Sequence, residues 1–227
     1  MGGSMASIDE AVGLIRARRA AVSAQRTVVA AVSGIDGSGK GYITERIVAG
    51  LGSGGGRAAV LHLDDWLELP DRRFSTQNPA AHFYKRGFRF QEMLDKVVGP
   101  LRERRSLRLE ADLADATLAP TYRRHVYDFR DVDFLLVEGI FLLKPAFRGS
   151  YDFTIWIDCS FATALERALQ RNQEGLPPDE IVRDFEAIYF PAQAIHQEKD
   201  NPRASADMVI VNDPRLEGGG GAVRSKE

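Results

Sequence analysis

TVVAAVSGIDGSGKG, residues 27–41, decides how this chain folds. Its first half, 27–33, is short, apolar and rich in β-branched side chains, the pattern of a strand buried on both faces. Its second half, Gly34 to Gly41, fits G-x-x-x-x-G-K and runs straight into a helical pattern. Glycines in such a turn let the backbone reach positive φ and aim its N–H groups inward at anionic oxygens. The helix starting near Lys40 adds the positive end of its dipole, and the Lys40 ammonium adds a mobile cation for the β- and γ-phosphates. Strand, glycine loop and helix in that order read as a phosphate cradle. The segment expected to touch a nucleotide is Gly34, Asp36, Gly37, Ser38, Gly39, Lys40, Gly41 and Tyr42.

One position departs from the pattern. Gly41 stands where a Ser or Thr hydroxyl usually meets Mg²⁺, and Thr44 lies almost a turn further on. Mg²⁺ keeps several waters when it binds, so carboxylates elsewhere can hold it.

Outward from this stretch, the same grammar repeats. A flexible LGSGGGR turn leads into RAAVLHL (57–63), and further apolar runs fall at 134–137, 152–158 and 207–211. Helical patterns intervene near 90–104, 160–172 and 178–198, so strands alternate with helices and a mainly parallel sheet is expected. Residues 106–131 are polar and irregular and read as a β-hairpin over the site. Ile8, Val12, Ile15 and Val22 recur at helical spacing with arginines between them, which predicts an amphipathic helix over 8–25. The expected architecture is α/β, a P-loop NTPase three-layer sandwich with a mainly parallel five-stranded sheet and a small hairpin or lid excursion. The expected division is an N-terminal helix within 1–26, one domain over 27–213 and a disordered tail over 214–227.

Composition narrows the function classes. With 227 residues and 44% hydrophobic content the chain can bury one substantial core. A net charge of −2 argues against nucleic acid or an anionic membrane as partner. No run approaches the ~20 apolar residues of a spanning helix. The N-terminus lacks a basic start followed by an apolar stretch, and Ala6 stands where a myristoylation signal wants Ser or Thr. The single cysteine, Cys159, cannot form an internal disulfide, which fits a reducing cytoplasm, and its place at the end of an apolar run reads as a small buried thiol. Assembly into a homo-oligomer stays open.

In open α/β sheets ligands bind at the carboxyl ends of strands, and two acidic signals fall there. In LHLDDW, Asp64 can serve as a general base or touch a metal, while Asp65 reads equally as a cap. In FLLVEGIF, Glu138 ends a wholly apolar strand, where a charge needs a reason such as Mg²⁺ or its bound water. No guanine-reading N/T-K-x-D follows any strand and no D-x-x-G ends the strand at Glu138, which disfavours a switch GTPase.

Arg167 and Arg171 are four apart and share a helix face, from which arginines can fold over a nucleotide; Arg183 is a weaker candidate for the same role. Phe74, His82, Phe83 and Tyr84 form either an acceptor pocket or the packing of a small helical subdomain. His62, His125 and His196 show no ligand spacing and read as structural, with His125 the candidate exception because it sits on the proposed hairpin.

With SGIDGSGKG, LHLDDW, VEGIF, the ERALQR helix and a closing ADMVIVND in that order, residues 27–213 resemble the uridine kinase-like family of P-loop kinases, the group of phosphoribulokinase, uridine kinase and pantothenate kinase. The resemblance implies ATP on Gly34–Lys40, Asp64 as base near Mg²⁺, Glu138 as metal partner and Arg167 and Arg171 in a lid. It also implies transfer of the γ-phosphate to a hydroxyl of a small molecule, nucleoside or sugar-like. A pantothenate-like alcohol is a second acceptor class. A nucleotide-binding regulator or pseudokinase, with its metal site degraded at Gly41, is the competing reading.

Overall fold

The computed structural model describes residues 2–114, 121–172 and 175–216. Helix α1 (Gly2–Ala21) precedes strand β1 (Val28–Gly34), helix α2 (Lys40–Ser53) and strand β2 (Ala58–His62). The next stretch is helical in short pieces: α3 (Pro70–Arg73), α4 (Pro79–Arg86), then α5 (Phe90–Met93) joined through a π turn to α6 (Gly99–Glu103). A hairpin of β3 (Leu107–Ala114) and β4 (Tyr122–Phe129) follows, then β5 (Phe134–Gly139), α7 (Pro145–Arg148), β6 (Phe153–Asp158) and α8 (Phe161–Arg171). Helix α9 (Pro178–Asp184) runs through a second π turn, Phe185–Tyr189, into α10 (Phe190–Asp200), and α11 (Pro202–Ser205) leads to β7 (Met208–Val211).

Five strands form one parallel sheet in the order β2-β5-β1-β6-β7, with the antiparallel β3–β4 pair apart from it. Side chains alternate across a strand, so β1 assigns the layers. Val28, Ala30 and Val32 pack with Ile43, Ile47 and Leu51 of α2 and with Ile8, Val12 and Ile15 of α1. Val29 and Ala31 face the other way, toward Phe83 of α4, Met93 and Val97 of the α5–α6 run and Ala192 of α10. The result is a three-layer sandwich whose central strand is apolar on both faces, as a parallel sheet requires.

All five expected strands and the hairpin are present. Helix α1 lies earlier than expected, at 2–21 rather than 8–25. The hairpin tip, residues 115–120, and the expected tail from 217 onward lie outside the described residues, and no described helix is long and apolar enough to cross a membrane. Two staples fix the last strands. Asp207 accepts from Thr154 N and Oγ1, both at 2.8 Å, and Asp213 accepts from Ser160 N and Thr163 Oγ1, both at 2.7 Å.

Candidate functional site

The cleft opens where β1, β5 and β2 end. Register places Val32 of β1 and His62 of β2 on either side of Glu138 in β5. The glycine loop crosses this edge in a conformation only glycine holds without strain, with φ 73° at Gly37 and 84° at Gly39. A Cβ at Gly37 would strike the Ala164 carbonyl, and one at Gly39 the Asn212 amide. The loop is also held from outside. Asn212 Nδ2 donates to Ser38 O at 2.7 Å, and Arg167 Nη1 donates to Ser38 O at 3.2 Å and Asn212 O at 2.9 Å. On the opposite side, Gln193 of α10 accepts from Asp36 N at 3.2 Å and donates to Asp36 Oδ2 at 2.6 Å. Helix α2 starts at Lys40 with no side-chain cap, and the buried Ser38 and Thr44 hydroxyls have no partner among the described residues. Uncapped first-turn N–H groups and an unpartnered hydroxyl suit an anionic oxygen ligand.

Lys40 is buried beneath the loop, its Nζ 3.5 Å from Asp36 Oδ1 and 3.9 Å from Glu138 Oε1. Burial works against its charge, but Asp36, Glu138 and Asp64 together hold its ammonium above the usual lysine range. Glu138 Oε2 lies 2.9 Å from His62 Nδ1. Burial alone would raise Glu138, yet the His62 hydrogen bond and the charges of Lys40, His62 and Arg171 keep its carboxyl low. Asp64 follows β2 in a 3₁₀ turn, Leu63–Trp66, and its side chain is exposed, with Lys40, Asp36, Glu138 and His62 near enough to act on its charge. Loss of hydration is the main cause of its shift; Asp36 and Glu138 add to it, Lys40 and His62 oppose it, and the carboxyl is pushed up to about 6. The cleft therefore holds one firmly ionised carboxylate, one carboxyl poised to exchange a proton near neutral pH, and one buried cation between them.

Several expected residues lie elsewhere. Arg167 is strapped to the loop backbone and to Asn212, so it shapes the cradle rather than swinging over it. Arg171 is exposed and close enough for Glu138 to feel its charge, whereas Arg183 is exposed and pairs with Asp184. Tyr42 is exposed, 57%, and turns to Arg46. Phe83 and Tyr84 belong to the core, not to an acceptor pocket: Phe83 packs edge-on against Phe88, Phe141 and Tyr189, and Tyr84 donates to Asp200. Phe74 stacks on Phe83, and His82 Nε2 lies 2.8 Å from the Arg72 carbonyl. His125 packs edge-on against Tyr127 on the hairpin. Cys159 is buried, and loss of hydration pushes its thiol up to about 11.

Two residues escaped sequence reasoning. His62 was expected to be structural, but strand alternation sets it beside Glu138. Arg73 was not singled out in the sequence, yet it is buried. Among the described residues no group of three or more His, Cys, Asp or Glu is placed to hold a metal by itself. At Gly41 a Cβ would meet nothing within 4 Å.

The 2-5-1-6-7 parallel sheet with its glycine loop is a fold that this chain shares with solved structures described as kinases. A protein from Bacillus stearothermophilus described as a "possible uridine kinase" shares it at TM-score 0.68 and 20% identity, over 91% of this chain and 98% of that one. D-glycerate 3-kinase from Cryptococcus neoformans matches at TM-score 0.68 and 13% identity, over 99% and 100% of the two chains. No protein-family model and no curated protein matches the sequence.

Proposed function

We propose that the protein is a kinase that transfers the γ-phosphoryl group of ATP to a hydroxyl of a small molecule, in the presence of Mg²⁺. The observation that carries this reading is a buried cation among carboxylates at the ends of adjacent strands: Lys40 Nζ lies 3.9 Å from Glu138 Oε1 and 3.5 Å from Asp36 Oδ1, and its charge opposes the rise of the Asp64 carboxyl, pushed up to about 6. A general base works best with a pKa near the operating pH. The acceptor oxygen bonds to the γ-phosphorus as the bond to the β,γ-bridging oxygen breaks, and its proton passes to Asp64. Lys40 and the uncapped N–H groups of α2 meet the charge on the phosphates. Glu138, held ionised by His62 and Lys40, suits a hydrated Mg²⁺, which supplies further charge neutralisation when bound. Two carboxylates with waters and phosphates fit that ion, since Mg²⁺ is seldom caged by protein alone. Kinase neighbours at low identity accord with this chemistry, and a cytoplasmic setting accords with the single buried cysteine.

The direct test is acceptor-dependent ADP release with Mg–ATP and a panel of nucleosides, sugars and hydroxy acids. Release with at least one acceptor is expected. Tight nucleotide binding with no release across the panel would favour a nucleotide-binding regulator, the reading that Gly41 motivates.

Gly41→Ser separates the two further. The open space at this position admits the side chain, and serine is less costly than glycine in a helix, so stability is expected to change by no more than about 0.5 kcal/mol. The Mg²⁺ concentration for half-maximal ADP release is expected to fall several-fold. An unchanged Mg²⁺ requirement would show that the hydroxyl is not what the site lacks.

A further inference from the structure

Helix α10 sends one polar side chain into the glycine loop. Gln193 is 2% exposed, and Asp36 engages both ends of its amide: Oε1 accepts from Asp36 N at 3.2 Å, and Nε2 donates to Asp36 Oδ2 at 2.6 Å. The helix behind this contact is itself anchored. Ala192 packs in the core, and one turn on His196 Nδ1 lies 2.7 Å from Asp200 Oδ2, which also accepts from the Tyr84 hydroxyl. A buried amide bonded at both ends on a fixed helix allows its partner one position.

That position matters for Lys40. A bond between an ammonium and a carboxylate normally closes to about 2.7–2.9 Å. Lys40 Nζ stands 3.5 Å from Asp36 Oδ1 and 3.9 Å from Glu138 Oε1, so it closes with neither. In each carboxylate the other oxygen makes the short contact: Asp36 Oδ2 with Gln193 at 2.6 Å, and Glu138 Oε2 with His62 Nδ1 at 2.9 Å. Asp36 is the nearer of the two, and it belongs to the loop itself. An Asp36 carboxylate drawn fully onto Lys40 would compete with a phosphate for the same ammonium.

We infer that Gln193 is a positioning residue of the glycine loop: it holds the Asp36 carboxylate back from Lys40, so that the ammonium is uncommitted when a nucleotide's phosphates arrive. This rests on the nucleotide site of the proposed function and says how its cation is kept available. Gln193 acts through Asp36 and touches no reacting atom.

The test is calorimetric titration of the full chain with Mg²⁺ and the β,γ-methylene analogue of ATP, which reports binding without transfer. Gln193→Leu removes both bonds to Asp36 and is expected to weaken the analogue about tenfold, the scale of a hydrogen bond to a charged group. At saturating ATP its kcat should stay within a few-fold of wild type, because bound phosphate has then displaced Asp36 from Lys40. Adding Asp36→Asn removes the competing charge and is expected to recover most of the lost affinity. A glutamine that only supported the fold would give losses that add in the double variant. Asp36→Asn alone keeps an acceptor for Gln193 and should bind the analogue at least as tightly as wild type. Weaker binding by Asp36→Asn alone would overturn the inference, whether or not Gln193→Leu folds. So would undiminished affinity in Gln193→Leu, or a double variant no better than Gln193→Leu. Turnover keeps the two readings apart. ADP release by the wild type, with normal analogue binding in Gln193→Leu, leaves the kinase and sinks the positioning role. Loss and recovery of affinity without ADP release from any acceptor leaves the positioning role and sinks the kinase.

Discussion

Asp64→Asn is expected to lower kcat by about 10²- to 10⁴-fold, the range of general acid–base catalysis, while nucleotide affinity stays within a few-fold. The wild-type pH profile gives the same residue a second signature. A carboxyl pushed up to about 6 is protonated below that pH and cannot accept a proton, so kcat/KM should fall as pH drops through about 6. In Asp64→Asn that acid limb should disappear. Stability should respond with the opposite sign. The folded form holds the Asp64 proton more tightly than the unfolded chain, whose aspartates titrate near pH 4, so this residue costs stability as pH rises from about 4 through about 6. The asparagine variant should therefore melt higher than the wild type at pH 8, with the difference fading toward pH 4. Full turnover in Asp64→Asn would remove the residue from the base role, and a melting difference that is the same at pH 4 and 8 would contradict its raised proton affinity.

Lys40→Met should act on binding and on the base together. Lys40 is the largest influence pulling Asp64 down, and it also faces Asp36 and Glu138. Without it, Asp36, Asp64 and Glu138 lose the buried cation they share. Nucleotide affinity is expected to fall about 10- to 100-fold, the worth of a hydrogen bond to a charged group, and kcat a further 10²- to 10³-fold or so. Any residual activity should show its acid limb above the wild-type position, because Asp64 loses its main opposing charge. Fluorescence titration with a labelled nucleotide measures the first effect and rate–pH profiles the second. Unchanged affinity would mean that the loop does not cradle phosphates.

The sheet and the conformation of the glycine loop were legible because each depends on local pattern. The runs at 27–33, 57–63, 134–137, 152–158 and 207–211 are apolar because both faces of a parallel strand are covered, and each became a strand. Gly37 and Gly39 were legible because only glycine fits there without strain or collision. Glu138 was legible as a charge ending an apolar run. What stayed hidden depends on contacts across the fold. Arg167 and Arg171 share a face by spacing, but only the approach of Asn212 and the loop carbonyls shows that the first is tied down. Phe83 and Tyr84 carry the same aromatic signature whether they line a pocket or fill a core, and their place under α10 settles it for the core. Arg73 and Arg72 are adjacent and chemically identical, yet one is buried and the other reaches solvent, a difference set by which side of a four-residue helix faces Phe74. Likewise Asp207, one of the signals that pointed to a kinase family, proves to join strands: it fixes β7 against Thr154.

The burial of Cys159 has a practical consequence. It is the only cysteine in the chain, and its thiol, held up to about 11 against the Arg167 side of the loop, has almost no thiolate at neutral pH. Maleimide or spin-label reagents should therefore pass it by. A single cysteine introduced at exposed Val126 on the hairpin, with a second at Tyr42 for distance measurements, would carry the label in an otherwise native chain. Opening and closing of the cleft could then be followed by spectroscopy without replacing the natural thiol or disturbing the arginine that braces the glycine loop.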